Sequence, residues 1–236
     1  MSTLMRKRAK PEIEYPTSDG KPMAETELHG QIMTDSREML VYWFEDDPMV
    51  YVWGNLLVFY EEGNPRKHLS PDVFVVRGVP KRPRRDHYLV WKEGRYPQGV
   101  LEVTSKTTAK EDQKTKLHIY REIWRVQEYF LFDPRSEYLR PPLQGHRLRG
   151  NRYIRIKAVD GRLPSEAFGL HLERDGEQLR FYDPRSGQYL LTAREKNTLS
   201  EAARQQAEAA RQQAEAEVER LRQENQALRQ QLSKKP

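Results

Sequence analysis

Two carboxylates and one ammonium in the middle of the chain are of the kinds that work on phosphate esters. Asp72 follows Pro71 at the mouth of an apolar run, Glu102 lies inside a second apolar run, and Lys116 stands on the segment after it. Carboxylates on adjacent strands can hold one hard cation through oxygen. Magnesium keeps several waters, so one or two carboxylates plus a phosphate complete its shell. The ion then polarises the phosphate and makes a water more acidic, and a nearby ammonium offsets the charge that builds during attack. Glu102 is the most telling of the three, because a carboxylate between Leu101 and Val103 is costly to bury without a partner or a metal. Each residue also has a plainer reading. Strand alternation allows Glu102 on a solvated face with Val100, Pro71-Asp72 suits the start of a strand after a turn, and Asp112 is placed to be an i, i+4 surface partner of Lys116.

The elements that must position these groups follow from apolar periodicity. Leu28, Ile32, Met33, Met39, Leu40 and Phe44 recur at helical spacing over about 25–44. Segments 50–53 and 56–60 are β-branched and aromatic, and Gly54-Asn55 between them predicts a hairpin. The runs 72–76, 99–104 and 128–132 read as buried strands. Residues 110–125 read as a helix with Leu117, Tyr120 and Trp124 on one face. From 137 to about 191, short strands broken by Gly, Pro and Asp suggest a small antiparallel extension.

Bulk properties exclude more than they establish. Only 36% of the 236 residues are hydrophobic and 32% are charged, with a net charge of +6. A basic surplus suits a polyanion, since lysine and arginine displace counterions from nucleic acid, although many proteins without that role are equally basic. The absence of cysteine excludes disulfides and thiolate metal sites. The basic start MSTLMRKRAK has no apolar region after it, so it is not a secretory signal, and no apolar run suits a membrane span. A cytoplasmic location is the expectation. The run Lys81-Arg82-Pro83-Arg84-Arg85 makes Lys81, Arg82, Arg84 and Arg85 either a phosphate-contacting loop or solvated charge.

The end of the chain differs in kind. The heptad EAARQQA occupies 201–207 and again 208–214. With Leu221 and Leu228 at d, Val218, Asn225 and Leu232 fall at a, and an a-position Asn favours a two-stranded parallel coil. Arg204 and Arg211 also fall at a, so a solvated single helix stays open beside the homodimeric coiled coil.

The ordered runs SPDVFVV, LEVTSKTT, DQKTKLHIY and EYFLFDP resemble the bacterial Uma-two family of restriction-endonuclease-like proteins, assigned to the PD-(D/E)XK nuclease superfamily. AETELHG, GNLLVFYEEGNP, LQGHRL and LRFYDPRSGQYL extend the similarity over about 23–190. The resemblance implies an α/β fold with a restriction endonuclease-like core, a mixed central sheet flanked by helices. The implied organisation is a flexible basic leader over 1–22, the nuclease-like domain over 23–192, and a coiled-coil helix over 193–236. It further implies Asp72, Glu102 and Lys116 as catalytic residues, the two acids holding Mg2+ or alternatively Mn2+, and DNA as partner. The superfamily's usual lysine two residues after the glutamate is replaced by Thr104; Lys116 matches the family's lysine, with Lys106 as runner-up. His29 on the first helix matches a histidine common in the family, Glu27 or Glu25 on the same helix could add a carboxylate, and Thr104 and Lys106 complete the supporting candidates. The expected activity is endonucleolytic phosphodiester hydrolysis. The alternative is a nuclease fold with weak or lost catalysis that binds nucleic acid and is dimerised by its coil. A glycosidase using Asp72 and Glu102 would leave both the lysine and the basic surplus without a role.

Overall fold

A computed structural model describes residues 14–18, 20 and 26–233. The chain divides into two compact units, Met1–Leu190 and Leu191–Pro236. Most of the leader expected over 1–22 lies outside the described residues; within them, Tyr15 packs its ring edge-on against Phe59 at 5.0 Å.

The first unit opens with helix α1 (Glu27–Trp43), whose N-cap Thr26 accepts a hydrogen bond from the His29 N–H. Strands β1 (Val50–Trp53), β2 (Val58–Phe59), β3 (His68–Leu69), β4 (Val73–Arg77) and β5 (Tyr88–Leu89) follow, then the single helical turn α2 (Val90–Glu93). Next come β6 (Gly99–Val103), a π-helical turn over Glu111–Lys116 that runs directly into α3 (Leu117–Glu122), and β7 (Glu128–Phe132). Strands β8 (Leu143–Arg149), β9 (Arg152–Arg155), β10 (Leu163–Ser165), β11 (Leu170–Asp175), β12 (Gln178–Asp183) and β13 (Gln188–Tyr189) complete it.

Six strands form the central sheet in the order β1-β4-β6-β7-β8-β9. Only β6 and β7 run parallel; the other neighbours are antiparallel. Parallel neighbours need a crossover, and the π-turn with α3 supplies it. One face packs Val52, Val73, Val75, Leu101 and Phe130 against Ile32 and Leu40 of α1 and against Phe168 and Leu172 beside the antiparallel sheet β10–β13. The other face packs Phe74, Val100 and Tyr129 against Tyr120, Trp124 and the small sheet β3-β2-β5. This is the mixed sheet flanked by helices that the resemblance implies.

Three local expectations are corrected. Gly54-Asn55 does not close a hairpin: β1 pairs with β4, while β2 pairs with β3 and β5. The backbone of Gly54 runs so close to Asp72 that a Cβ there would lie 2.1 Å from its carbonyl oxygen. Asn55 takes a left-handed φ of 50° and donates its N–H to the Pro71 carbonyl at 2.8 Å. The pair therefore turns the chain off the central sheet. The helix expected over 110–125 begins as a π-turn, whose wider i→i+5 ring departs from the 3.6-residue period. It ends at Glu122, and Arg125 has a positive φ of 55°. The extension after 137 is shared out, with β8 and β9 joining the central sheet and β10–β13 forming a sheet of their own.

The second unit is helix α4 (Ala193–Ser233). Thr192 and Glu195 form a capping box: the Thr192 N–H donates to the Glu195 carboxylate at 2.8 Å and the Glu195 N–H to Thr192 Oγ1 at 3.2 Å. Val218 and Leu221 are half exposed on it. Among the described residues no helix is long and apolar enough to cross a membrane.

Gly99 lets the chain between β10 and β11 seat on the start of β6: a Cβ there would lie 2.6 Å from the Phe168 ring and 2.9 Å from the Ala167 methyl. Gly99→Ala is expected to lower unfolding stability by about 1–3 kcal/mol, the range for overpacking a filled core, as read by urea denaturation.

Candidate active site

The antiparallel register of β4 on β6 pairs Val73 with Leu101 and so brings Asp72 and Glu102 side by side. The Asp72 backbone N–H points at Glu102 Oε2 at 3.4 Å, a long contact. Asp72 Oδ2 accepts the Val103 N–H at 2.7 Å and lies 3.3 Å from His29 Nε2 on α1. Strand end, neighbouring backbone and first helix thus fix this carboxylate, and the tight passage of Gly54 behind it leaves its main chain no room to shift.

Glu102 is fully buried in a strand that is buried at every position. The solvated-face reading is therefore excluded. Lys116 Nζ donates to Glu102 Oε2 at 2.8 Å, and the Tyr120 hydroxyl donates to Oε1 at 2.6 Å. Lys116 Nζ also lies 3.0 Å from Asp112 Oδ1. The i, i+4 pair anticipated as a surface feature is buried, with Asp112 1% and Lys116 8% exposed. Its location at the two ends of the π-turn sends both side chains under the sheet instead of outward.

The charges do not balance. Three carboxylates, of Asp72, Glu102 and Asp112, share one ammonium in a largely dry setting. Burial raises the pKa of Glu102 to about 8; Lys116 opposes that shift, and Asp72 and Asp112 add to it. Burial also raises that of Asp112, again against the pull of Lys116. For Lys116 burial acts downward, but Glu102, Asp112 and Asp72 outweigh it, so the amine is held charged. Burial first and then the Glu102 charge push the Tyr120 hydroxyl well above its ordinary value, which keeps it a donor.

The other candidates are dispersed. Glu27 and Lys106 are exposed, and Glu25 lies outside the described residues. Thr104 is buried on the same sheet face as Glu102, and its hydroxyl has no hydrogen-bond partner. Lys81 donates to the carbonyls of Phe44 and Glu45, and Arg85 pairs with Glu93 at 2.6 Å, so both are tied to the protein's own structure. Arg82 and Arg84 are exposed. Tyr120 and Asp112 were not among the candidates read from the sequence. Their only signal was position: each stands four residues from Lys116, on the stretch that crosses the sheet.

These residues suit a hard divalent ion with an open shell. Two carboxylate-bearing residues stand side by side on neighbouring strands, in an excess of negative charge, and an unpartnered hydroxyl lies two residues along the strand from Glu102. Among the described residues no group of three or more His, Cys, Asp and Glu is arranged to hold a metal, which rules out there a closed, all-protein site of the structural zinc kind. Asp72 and Glu102 fit an ion that keeps waters and shares a phosphate.

The profile of the Uma2 family, described as "Putative restriction endonuclease", matches residues 3–232 and so extends past the 23–190 of the motif resemblance. Among solved structures the chain is similar to a putative nuclease belonging to DUF820 from Anabaena variabilis, at 15% identity and a TM-score of 0.46 over 63% of this chain and 78% of that one. No curated protein matches the chain.

The raised pKa of Glu102 sets a pH dependence in metal-free protein. Its folded value of about 8 lies above the 4.5 of an unperturbed glutamate, so the stabilising contribution is complete below 4.5 and is lost as pH rises through 8. In EDTA, wild-type protein is expected to lose thermal stability over that interval relative to Glu102→Gln, which has no proton to release. Parallel melting curves for the two proteins at every pH would contradict this assignment.

Proposed function

The chain belongs to the Uma2 family of putative restriction endonucleases, and from that premise we propose that it is a divalent-metal-dependent DNA endonuclease with Asp72, Glu102 and Lys116 at its centre. The observation that carries the proposal is the convergence of Lys116 Nζ and the Asp72 backbone on the same oxygen of a fully buried Glu102, at 2.8 and 3.4 Å. Asp72 and Glu102 would hold magnesium, or manganese in its place. That ion would supply Lewis-acid polarisation of the scissile phosphate and a more acidic water.

The protein's own groups supply the rest. Asp72, pinned by the Val103 N–H, presents a carboxylate whose side chain is 15% exposed at the mouth of the site, where a phosphate can approach. The Lys116 ammonium, held charged between Glu102 and Asp112, would offset negative charge on the phosphate as the new P–O bond forms and the leaving oxygen departs, the proton of the attacking water passing to solvent. Tyr120 holds the second oxygen of Glu102 and keeps the carboxylate in one rotamer. Thr104 leaves the usual strand position of the superfamily lysine neutral, and Lys116 brings the charge in from the crossover helix.

The reading is tested by nicking of supercoiled plasmid. Wild-type protein is expected to nick in magnesium or manganese and not in EDTA. Glu102→Ala should abolish the activity, and Lys116→Ala should lower it by about a hundredfold, the usual loss of one charge-stabilising donor. Equal nicking by wild type and Glu102→Ala would refute the assignment.

The half-exposed Val218 and Leu221 on α4 support a parallel homodimer through this helix. Leu221→Glu with Leu228→Glu is expected to convert a dimer into a monomer in sedimentation equilibrium. A wild-type monomer at all concentrations would remove the coiled coil from the proposal.

A further inference from the structure

The edge of the central sheet beside Asp72 carries a groove that the hydrolytic centre does not use. It has a volume of about 580 Å3 and runs along β1, with Val41, Tyr51, Trp53, Arg82, Arg84 and Asp86 in its walls. Trp53 is 42% exposed, although a tryptophan on a strand ordinarily gains by being covered. Arg37 holds its guanidinium 5.5 Å from the centre of the Trp53 ring. Arg82 and Arg84 are exposed, unlike Lys81 and Arg85, which are tied to the protein itself. The groove thus combines a part-exposed indole, which has Tyr51 stacked at 6.4 Å and Arg37 at its ring, with exposed arginines and one acid, Asp86, among its lining residues.

Its position matters as much as its composition. Trp53 pairs with Phe74, and Phe74 pairs with Val100, so strand alternation puts Trp53 on the sheet face that carries Glu102. The residue after Trp53 is Gly54, whose backbone touches the Asp72 carbonyl. Successive Cα atoms are about 3.8 Å apart, so the indole is mounted one residue from the backbone of a proposed metal ligand.

We propose that this groove binds single-stranded nucleic acid, one base stacking on Trp53 while Arg82 and Arg84 contact the flanking phosphates. Aromatic surfaces accept any base by its π-face, and a basic wall follows the backbone. An acidic peptide would satisfy the arginines but would leave the part-exposed indole without a role. The inference rests on the nuclease reading for its choice of nucleic acid as the polyanion, and it assigns to that centre a substrate with an unpaired or splayed strand beside the cut.

The test is anisotropy of a short fluorescein-labelled oligothymidylate with the full chain, in EDTA and on a Glu102→Gln background so that nothing is cut. Trp53→Ala is expected to weaken binding about tenfold, within the range for loss of one stacked base, and Trp53→Phe to retain affinity within about twofold. Arg82→Gln with Arg84→Gln should reduce the salt dependence by about one to two phosphate contacts. A labelled blunt duplex should respond little to Trp53→Ala. Unchanged oligothymidylate affinity in Trp53→Ala would overturn the proposal. So would equal competition by polyglutamate, which would show a groove that reads charge alone. Stacking without any metal-dependent nicking by wild-type protein would refute the nuclease reading and leave the groove standing. Nicking with no effect of Trp53 would do the reverse.

Discussion

A carboxylate with no access to water, set in the middle strand of an apolar sheet, constrains everything around it. The ionised form of Glu102 cannot survive there without compensation, and the compensation comes from distant parts of the chain. Lys116 approaches from the crossover helix, Tyr120 from one turn further on, and the Asp72 backbone from the neighbouring strand. Breaking a buried pair by removing one partner typically costs about 3–5 kcal/mol. The sheet, the crossover and the start of β4 are therefore held in register by the same atoms that would carry the chemistry.

A second constraint is steric. The Val103 N–H holds the Asp72 carboxylate on one side, and Gly54 passes against the Asp72 main chain on the other, with no space for a side chain at position 54. His29 reaches the same carboxylate from α1. The resulting position belongs to three elements at once and is rigid in the way a reacting centre requires. The same crossing point sends the chain from the central sheet to the small sheet β3-β2-β5 and leaves β1 as an edge, and so gives rise to the groove lined by Trp53.

Much of this was legible in the residues. The apolar runs located β4, β6 and β7 within a residue or two, because strands buried on both faces are continuous and apolar. The apolar flanks of Glu102 announced burial. The hairpin misreading at Gly54-Asn55 arose because the dipeptide that suits a tight turn also suits a close backbone approach, and local sequence does not distinguish them. Asp112 and Lys116 read as a surface pair for a similar reason: an i, i+4 spacing is the same inside and outside. Only the π-turn and its placement beneath the sheet decide the matter, and that depends on packing from strands remote in sequence. Tyr120 was recognised as core, whereas its hydroxyl depends on where Glu102 lies.

Moving the ammonium from the strand to the crossover changes how the centre is controlled. A lysine at position 104 would be fixed by the sheet ladder itself. Lys116 instead depends on a π-turn, a helix form that is uncommon and is held by tertiary contacts more than by its own hydrogen bonds. The contacts that hold this one are at hand: the Tyr129 hydroxyl donates to the Asp112 carbonyl at 3.0 Å, and Tyr120 packs edge-on against the Tyr129 ring at 5.0 Å. Tyr129 stands on β7, the parallel partner of the strand bearing Glu102. The ammonium is thus indexed to the sheet after all, one strand further away and through aromatic packing instead of a backbone ladder. Position 104 then carries a small neutral hydroxyl two residues along the strand from Glu102, and under the proposed function it adds no second cation to compete with a metal.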